Sequence, residues 1–183
     1  RDRRMGVNFT KQIVDCLYTG ISTDTGCFRY TNTTADTFRI AASLVELGCN
    51  SAYINKVMFE TKSKEKIMLE REVYDTITYC ANEKCAIVWV TLDMLKSLNI
   101  GEDEIEGLAS IPRQIEGVLI GITMKEKEGG FFKISVRTNG NIDAAKFCSR
   151  FGGGGHKAAA GCSVNGSLED VRSQLIKAAE ETL

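Results

Sequence analysis

Four consecutive glycines lead into the single histidine of the chain, and this segment has the residue types best suited to bind a phosphate. It reads Gly152-Gly153-Gly154-Gly155-His156-Lys157-Ala158-Ala159-Ala160-Gly161. Glycine permits positive φ angles and close approach of the backbone to a ligand, but ordering four glycines costs conformational entropy. We therefore predict a binding loop. Because alanine is the best helix former, we predict that the glycines open onto a helix N-terminus, where free N–H groups attract anions.

A flexible hinge and the common nucleotide-binding motifs fit the glycine run less well. A hinge normally mixes serine or threonine with glycine, whereas Phe151 precedes this run and alanines follow it. Neither a Walker A sequence nor a dinucleotide-binding fingerprint can be placed on these residues. The sequence therefore favours a phosphate site of another kind.

Arg137 is a second candidate for holding a phosphate. It ends a predicted strand, 134–137, and Ser135 lies two residues earlier on the same strand face. A guanidinium group can hold a phosphate through two parallel hydrogen bonds, although an ordinary surface arginine explains the residue equally well. His156 could donate to a phosphate, stack on a base or supply a proton.

Asp24 is a candidate ligand for a divalent cation. It lies in the polar segment Thr23-Asp24-Thr25-Gly26, predicted to be a turn that follows a helix. Carboxylate oxygens suit hard cations, but an aspartate in a turn also commonly satisfies backbone amides. One carboxylate does not by itself make a metal site.

The seven cysteines are an odd number without a Cys-x-x-Cys pair, and we predict that they are reduced, buried thiols. A zinc site formed by Cys80, Cys85 and His156 lacks paired ligand spacing. A cysteine nucleophile activated by His156 has no support in the sequence. Both alternatives are disfavoured.

The composition restricts the kind of ligand that the chain can bind and the cellular compartment in which we expect it. The chain has 183 residues, 43% hydrophobic and 26% charged, with a formal net charge of −1. That charge argues against a broad basic face for long nucleic acid, but allows a local pocket for a small anion. No apolar run approaches the roughly 18 residues of a membrane span, and the N-terminus lacks the apolar core of a signal peptide. We expect a cytoplasmic protein with no membrane partner.

The periodicity predicts an α/β chain in two parts. The first part is helical, and a charged helix with a break near Lys62 and Ser63 connects it to a unit that mixes strands and helices. In that unit Gly129-Gly130 predicts a hairpin turn, and Ser167 with Asp170 predicts the start of a final helix. Predicted helices are 8–18, 33–47, 51–79 with its break, 142–151 and 167–179, and predicted strands are 86–90, 118–122, 131–137 and 162–164.

Three segments together resemble the DHH phosphoesterase superfamily, and most closely its bacterial nanoRNase and adenosine-3′,5′-bisphosphate phosphatase branch. They are 20–30 around Asp24, Ser135-Val136-Arg137-Thr138, and 152–161. The resemblance implies the C-terminal part of a DHH catalytic domain (1–60), a connecting helix (61–82), and a DHH-associated substrate-binding domain with a mixed β-sheet flanked by helices (83–183). It implies that Asp24 is a catalytic metal ligand. The residues implied to bind substrate are Arg137, Gly152, Gly153, Gly154, Gly155 and His156, with Lys157 and Arg29 as weaker candidates.

The resemblance also implies an activity for the intact enzyme. Mn²⁺ or Mg²⁺ ions would activate a water for attack on short RNA or DNA oligonucleotides, adenosine 3′,5′-bisphosphate, or linear or cyclic dinucleotides. The Asp-His-His triplet of the family cannot lie in a chain with one histidine, and the earlier aspartate motifs have no match either. We therefore expect this chain to supply substrate binding and one metal ligand, with little hydrolysis alone and no tightly bound metal.

Three alternatives stay open on the sequence. One is a nucleotide-binding module without catalysis, and another is an RNA-binding domain like that of alanyl-tRNA synthetases. The third is a structural dimerisation domain, and a homodimer is compatible with each of the functions considered.

Overall fold

The computed structural model describes residues 9–101, 105 and 107–183, and the chain divides into two units between Lys62 and Ser63. The first unit is helical. Its helices are α1 (Lys11–Asp24), α2 (Ala35–Glu46) and α3 (Ser51–Asn55), which continues into a π-helical turn at Lys56–Glu60. A small core joins them, formed by Val14, Tyr18, Ala41, Leu44 and Cys49.

Helix α1 is longer than the sequence predicts, because it continues through Gly20 to Asp24. The polar residues that indicated a turn satisfy their hydroxyl groups within the helix or against a neighbour. Thr23 Oγ1 donates to Thr19 O at 2.8 Å, and the buried Ser22 donates from Oγ to Asn55 Oδ1 at 2.7 Å. Hydroxyl groups that bond one turn back are compatible with a helix. The predicted turn is present but begins after Asp24, at Thr25.

The second unit is built on a six-stranded mixed sheet. Its strands are β1 (Thr78–Cys80), β2 (Cys85–Val90), β3 (Ile120–Lys127), β4 (Phe131–Thr138), β5 (Gly154–His156) and β6 (Ala159–Asn165). The strand order is β1-β2-β3-β4-β6-β5, and only β2 and β3 pair in parallel. The predicted hairpin between β3 and β4 is confirmed, with Gly129 at φ +94° and Gly130 at φ +76°.

Four helices accompany the sheet: α4 (Lys64–Asp75), α5 (Leu92–Ser97), α6 (Ala144–Ser149) and α7 (Leu168–Glu180). The predicted break before Ser63 is confirmed, but the predicted helix to Tyr79 is wrong. Helix α4 ends at Asp75 and Thr78–Cys80 forms the edge strand β1. In the ranges that the structure describes, no helix is both long and apolar enough to cross a bilayer.

The two faces of the sheet have different coverage. One face, with Ile87, Ile122 and Val136, packs against residues of α6 and α7 in a single core. The opposite face is covered over β2, where Val88 and Val90 pack with α4. It is also covered over β3, where the backbone of Pro112 and Arg113 lies against Gly121. Along β4, β6 and β5 this second face carries exposed or half-buried residues, and we call that part the open face: Lys133, Ser135, Arg137, Gly154, His156, Ala159, Gly161 and Ser163.

Candidate phosphate-binding site

The glycine run forms a β-hairpin, and the prediction that it opens a helix is wrong. Strand β5 leads through the two-residue turn at Lys157 and Ala158 into β6. The helix preference of alanine is worth less than about 1 kcal/mol per residue over most alternatives. Pairing of β6 along β4, together with burial of Ala160, Cys162 and Val164 on the core face, outweighs that preference.

Three of the four glycines are required by the fold. Gly152 has a φ of +71°, which favours glycine. A Cβ atom on Gly153 would overlap Gly161 O and the Cys162 side chain, and one on Gly155 would lie 2.6 Å from Ala160 Cα. These contacts bring β5 close against β6.

Gly154 differs from its neighbours. Its φ lies outside the left-handed region, and a Cβ atom built there would meet no atom within 4 Å. Gly154 lies opposite Gly161, which in turn lies opposite Ser135 of β4. The fold therefore tolerates a side chain at a position on the open face where the sequence has none.

Arg137 and His156 lie in one row across three strands. Arg137 is in register with Ala159, and Ala159 is in register with His156. Neighbouring strands are ~4.8 Å apart, so about 10 Å separates the Arg137 and His156 backbones. Since only the small Ala159 stands between them, the open face has room for a small ligand between a guanidinium and an imidazole.

The Arg137 guanidinium is available to an anion. The side chain is half-buried, and Nη1 donates to its neighbour's carbonyl, Val136 O, at 3.2 Å. No carboxylate in the described part of the chain forms an ion pair with it. The remaining donors of the guanidinium can serve a phosphate in the bidentate manner that arginine favours.

The hairpin that carries His156 is fixed at several points. Lys157 O accepts from Ala144 N–H at 2.8 Å and from Thr138 Oγ1 at 3.1 Å, and Ala158 O accepts from Thr138 N–H at 3.2 Å. At the other end of the run, Gly153 N–H donates to Cys148 O at 3.0 Å. A site fixed in this way loses little conformational freedom when a ligand binds.

Asp24 belongs to the first unit, whereas Arg137, the glycines and His156 belong to the second. It is the exposed last residue of α1, and Asn32 Nδ2 donates to its Oδ2 at 3.1 Å and to its carbonyl oxygen at 3.2 Å. A carboxylate at this end faces the negative pole of the helix dipole, an arrangement that a nearby cation would relieve.

The described residues do not make a metal centre around Asp24. They contain no group of three or more His, Cys, Asp or Glu side chains placed to hold a metal ion. A single carboxylate cannot by itself hold a pair of catalytic ions, so such a centre would need ligands from outside the described residues.

The structure also excludes the zinc alternative. Cys80 and Cys85 lie on β1 and β2 at one edge of the sheet, while His156 lies on β5 at the opposite edge. Of the seven free cysteines, four are buried as predicted, but Cys16 is exposed, and Cys27 and Cys80 are half-buried.

Sequence reasoning missed Lys133. It lies on the open face, two residues from Ser135 and four from Arg137, and it is in register with Ser163. The alternation of Lys133, Ser135 and Arg137 with apolar residues on β4 was the signal that could have identified it.

Comparisons with known proteins show the family to which the chain belongs. Residues 82–183 match the DHHA1 domain family. The chain is 30% identical over 181 residues to the bifunctional oligoribonuclease and PAP phosphatase NrnA of Thermus thermophilus, covering 98% of this chain and 53% of that protein. It is 24% identical over 159 residues to the NrnA protein of Bacillus subtilis, covering 87% and 50%.

A solved structure agrees with the fold. It is an exopolyphosphatase-related protein from Bacteroides fragilis, with a TM-score of 0.86 and 26% identity over 97% of this chain and 54% of that one. The chain thus spans about half the length of the relatives it matches.

Proposed function

Because the chain belongs to the DHHA1 domain family, in the branch of the DHH superfamily that contains NrnA, we propose that its second unit binds short oligonucleotides or nucleotide phosphates for a phosphoesterase. The observation that carries this proposal is the row of Arg137, Ala159 and His156 across the open face.

Each residue of the row has a role in the proposal. The Arg137 guanidinium holds a terminal phosphate through two hydrogen bonds, and the Ser135 hydroxyl on the same face supplies a further donor. His156 donates to the same phosphate or stacks on a base. Gly154 leaves space for the ligand because it has no side chain, while Gly152, Gly153 and Gly155 keep the hairpin in place.

Hydrolysis belongs, in this proposal, to a longer protein. The relatives are about twice as long, and this chain has no Asp-His-His triplet. Asp24 would be one ligand of a Mn²⁺ or Mg²⁺ centre whose other ligands come from outside these residues. Such ions lower the pKa of a bound water and stabilise charge on a phosphate in the transition state. We expect negligible hydrolysis by this chain alone.

Calorimetric titration with the dinucleotide pApA and with adenosine 3′,5′-bisphosphate tests the binding proposal. Hydrogen bonds to charged groups contribute about 1.5–3 kcal/mol each, so Arg137→Ala should weaken binding by roughly 10- to 100-fold. Arg137→Lys should recover only part of the loss, because lysine keeps the charge but not the bidentate geometry.

Arg172→Ala is the matched control, since Arg172 lies on α7 and its guanidinium pairs with Glu169 and stacks on Trp89. It should leave affinity unchanged. Equal affinity of the Arg137→Ala and wild-type proteins, with both folded by circular dichroism, would contradict the proposal.

A further inference from the structure

Two cysteines close the hairpin between β1 and β2, at the edge of the sheet farthest from His156. Cys80 and Cys85 are directly opposite each other in the antiparallel ladder, joined by the loop 81–84. Opposed Cα atoms in such ladders are about 4.5–5.5 Å apart, within the range of about 4.4–6.8 Å that a disulfide spans. Their side chains lie on the same face of the sheet, where Cys80 packs against the core cluster that contains Cys85. The pair is thus placed where a disulfide can form.

We propose that Cys80 and Cys85 form a reversible disulfide when the protein meets a peroxide. The site lies outside the proposed substrate-binding row and does not depend on the proposed function. It needs no movement of the backbone from its present register, because the pair is already the closing pair of the hairpin.

The two thiols differ in reactivity. Interaction with the Cys85 thiol lowers the pKa of Cys80, against opposing contributions from burial and from Glu180. The same interaction, together with burial, raises the pKa of Cys85. Since the thiolate is the nucleophile, Cys80 is the residue that attacks an oxidant and Cys85 is the residue that resolves the product.

Cys80 is also the more accessible of the two. It is half-buried, whereas Cys85 is buried. The adjoining loop residues Asn82, Glu83 and Lys84 are exposed, and an open depression of about 300 Å³ is lined by Ala81, Asn82, Lys84, Glu180 and Leu183. Hydrogen peroxide is small enough to enter this depression, whose lining begins at Ala81, the residue that follows Cys80 in the chain.

The chemistry balances in two steps. The Cys80 thiolate attacks one oxygen of hydrogen peroxide, the O–O bond breaks, hydroxide leaves, and Cys80 becomes a sulfenic acid. The Cys85 sulfur then attacks the Cys80 sulfur, the S–O bond breaks, and the oxygen leaves as water with the Cys85 proton. Two thiols lose two electrons and two protons, and the peroxide is reduced to two waters. A dithiol reductant reverses the change.

The same unit contains a matched pair that should stay reduced. Cys148 of α6 and Cys162 of β6 are also neighbours that shift each other's pKa, but both are buried, with 0% and 8% exposure. Gly153 packs directly against Cys162. A neighbouring thiol is therefore common to both pairs, whereas access to the oxidant differs between them.

The test treats the full chain with hydrogen peroxide, blocks free thiols by alkylation, and maps tryptic peptides by mass spectrometry. Trypsin cuts after Lys84, between the two cysteines, so the disulfide appears as peptide 72–84 linked to peptide 85–96. We expect this linked pair with a loss of 2 Da, and its disappearance after treatment with dithiothreitol.

Three variants test the roles assigned to the individual cysteines. Cys85→Ser should accumulate a sulfenic acid at Cys80 that dimedone traps, and Cys80→Ser should leave Cys85 reduced. Cys148→Ala should leave the 80–85 link unchanged. Cys80→Ser changes a half-buried residue, so it keeps the test informative if Cys85→Ser does not fold.

The proposal is overturned if Cys80 stays reduced at a peroxide concentration that oxidises the exposed Cys16. It is also overturned if the 148–162 link forms first, or if Cys80 couples only to another chain.

Discussion

Gly154 is the position at which a substitution can test ligand binding without disturbing the fold. Its neighbours Gly153 and Gly155 are fixed by close contact between β5 and β6, whereas the space around Gly154 is open. A methyl group at 154 would therefore act on the ligand and not on the hairpin. A methyl group at 153 would act on the hairpin first.

The Gly153→Ala variant should accordingly affect stability, whereas the Gly154→Ala variant should affect ligand affinity. Overpacking at position 153 should lower the free energy of unfolding by about 1–3 kcal/mol. Gly154→Ala should stay within about 0.5 kcal/mol of wild type but bind pApA more weakly, because the methyl group occupies the open face. Urea denaturation measures the first effect and calorimetric titration the second. Unchanged affinity in the Gly154→Ala protein would show that the ligand does not approach the backbone there.

At the scale of elements, the sequence correctly predicted features that depend on local interactions, such as a helix cap and a tight turn. Ser167 caps α7, as the sequence indicates, because a cap depends on one hydroxyl and one nearby N–H. Gly129 and Gly130 likewise predicted the turn between β3 and β4. In contrast, Ala158–Ala160 favoured helix locally and became part of a hairpin, because pairing with β4 is a distant interaction that composition does not reveal.

In the candidate site, too, local features were predicted from the sequence and the arrangement that depends on distant strand pairing was not. The sequence predicted Arg137, the glycines and His156 as residues, but not their alignment in one row, which depends on strand order and register. It also placed Asp24 in a turn, although the helix continues to that residue. Whether these residues bind substrate or metal stays a prediction.

The cap of α7 provides a test at this scale. Ser167 Oγ accepts from Asp170 N–H at 3.2 Å, and Val171, Leu175 and Ala179 of the helix lie in the core. Ser167→Ala should lower the free energy of unfolding by ~1 kcal/mol. Ser163→Ala, at an exposed position on β6, is the control and should change it by less than about 0.5 kcal/mol. Chemical denaturation compares them, and equal stability of both variants would contradict the assigned cap.

At the scale of the whole molecule, the two units differ in how much apolar surface they bury. The second unit has two cores of fully buried side chains. The first has the small cluster around Val14 and Leu44, and its α2 exposes Phe38 by 56% and Ile40 by 52%. Units of about 60 residues bury a smaller fraction of their surface and are correspondingly marginal.

We therefore expect residues 63–183 to fold alone with a cooperative thermal transition and to bind pApA as the full chain does. Residues 1–62 alone should show no cooperative transition. Circular dichroism on heating and calorimetric titration of the two fragments test this. A cooperative first unit, or a second unit that unfolds gradually, would show that stability is distributed differently from the buried cores.

The short strands at the two edges of the sheet affect how readily the protein aggregates in concentrated solution. Strands β1 and β5 are both three residues long, and two of the three residues in β5 are glycine. Unpaired N–H and C=O groups on a long, flat, apolar edge recruit strands from other molecules. Edges this short offer few such groups, so the glycine-rich strand that forms one side of the candidate site also protects the sheet against edge-to-edge aggregation.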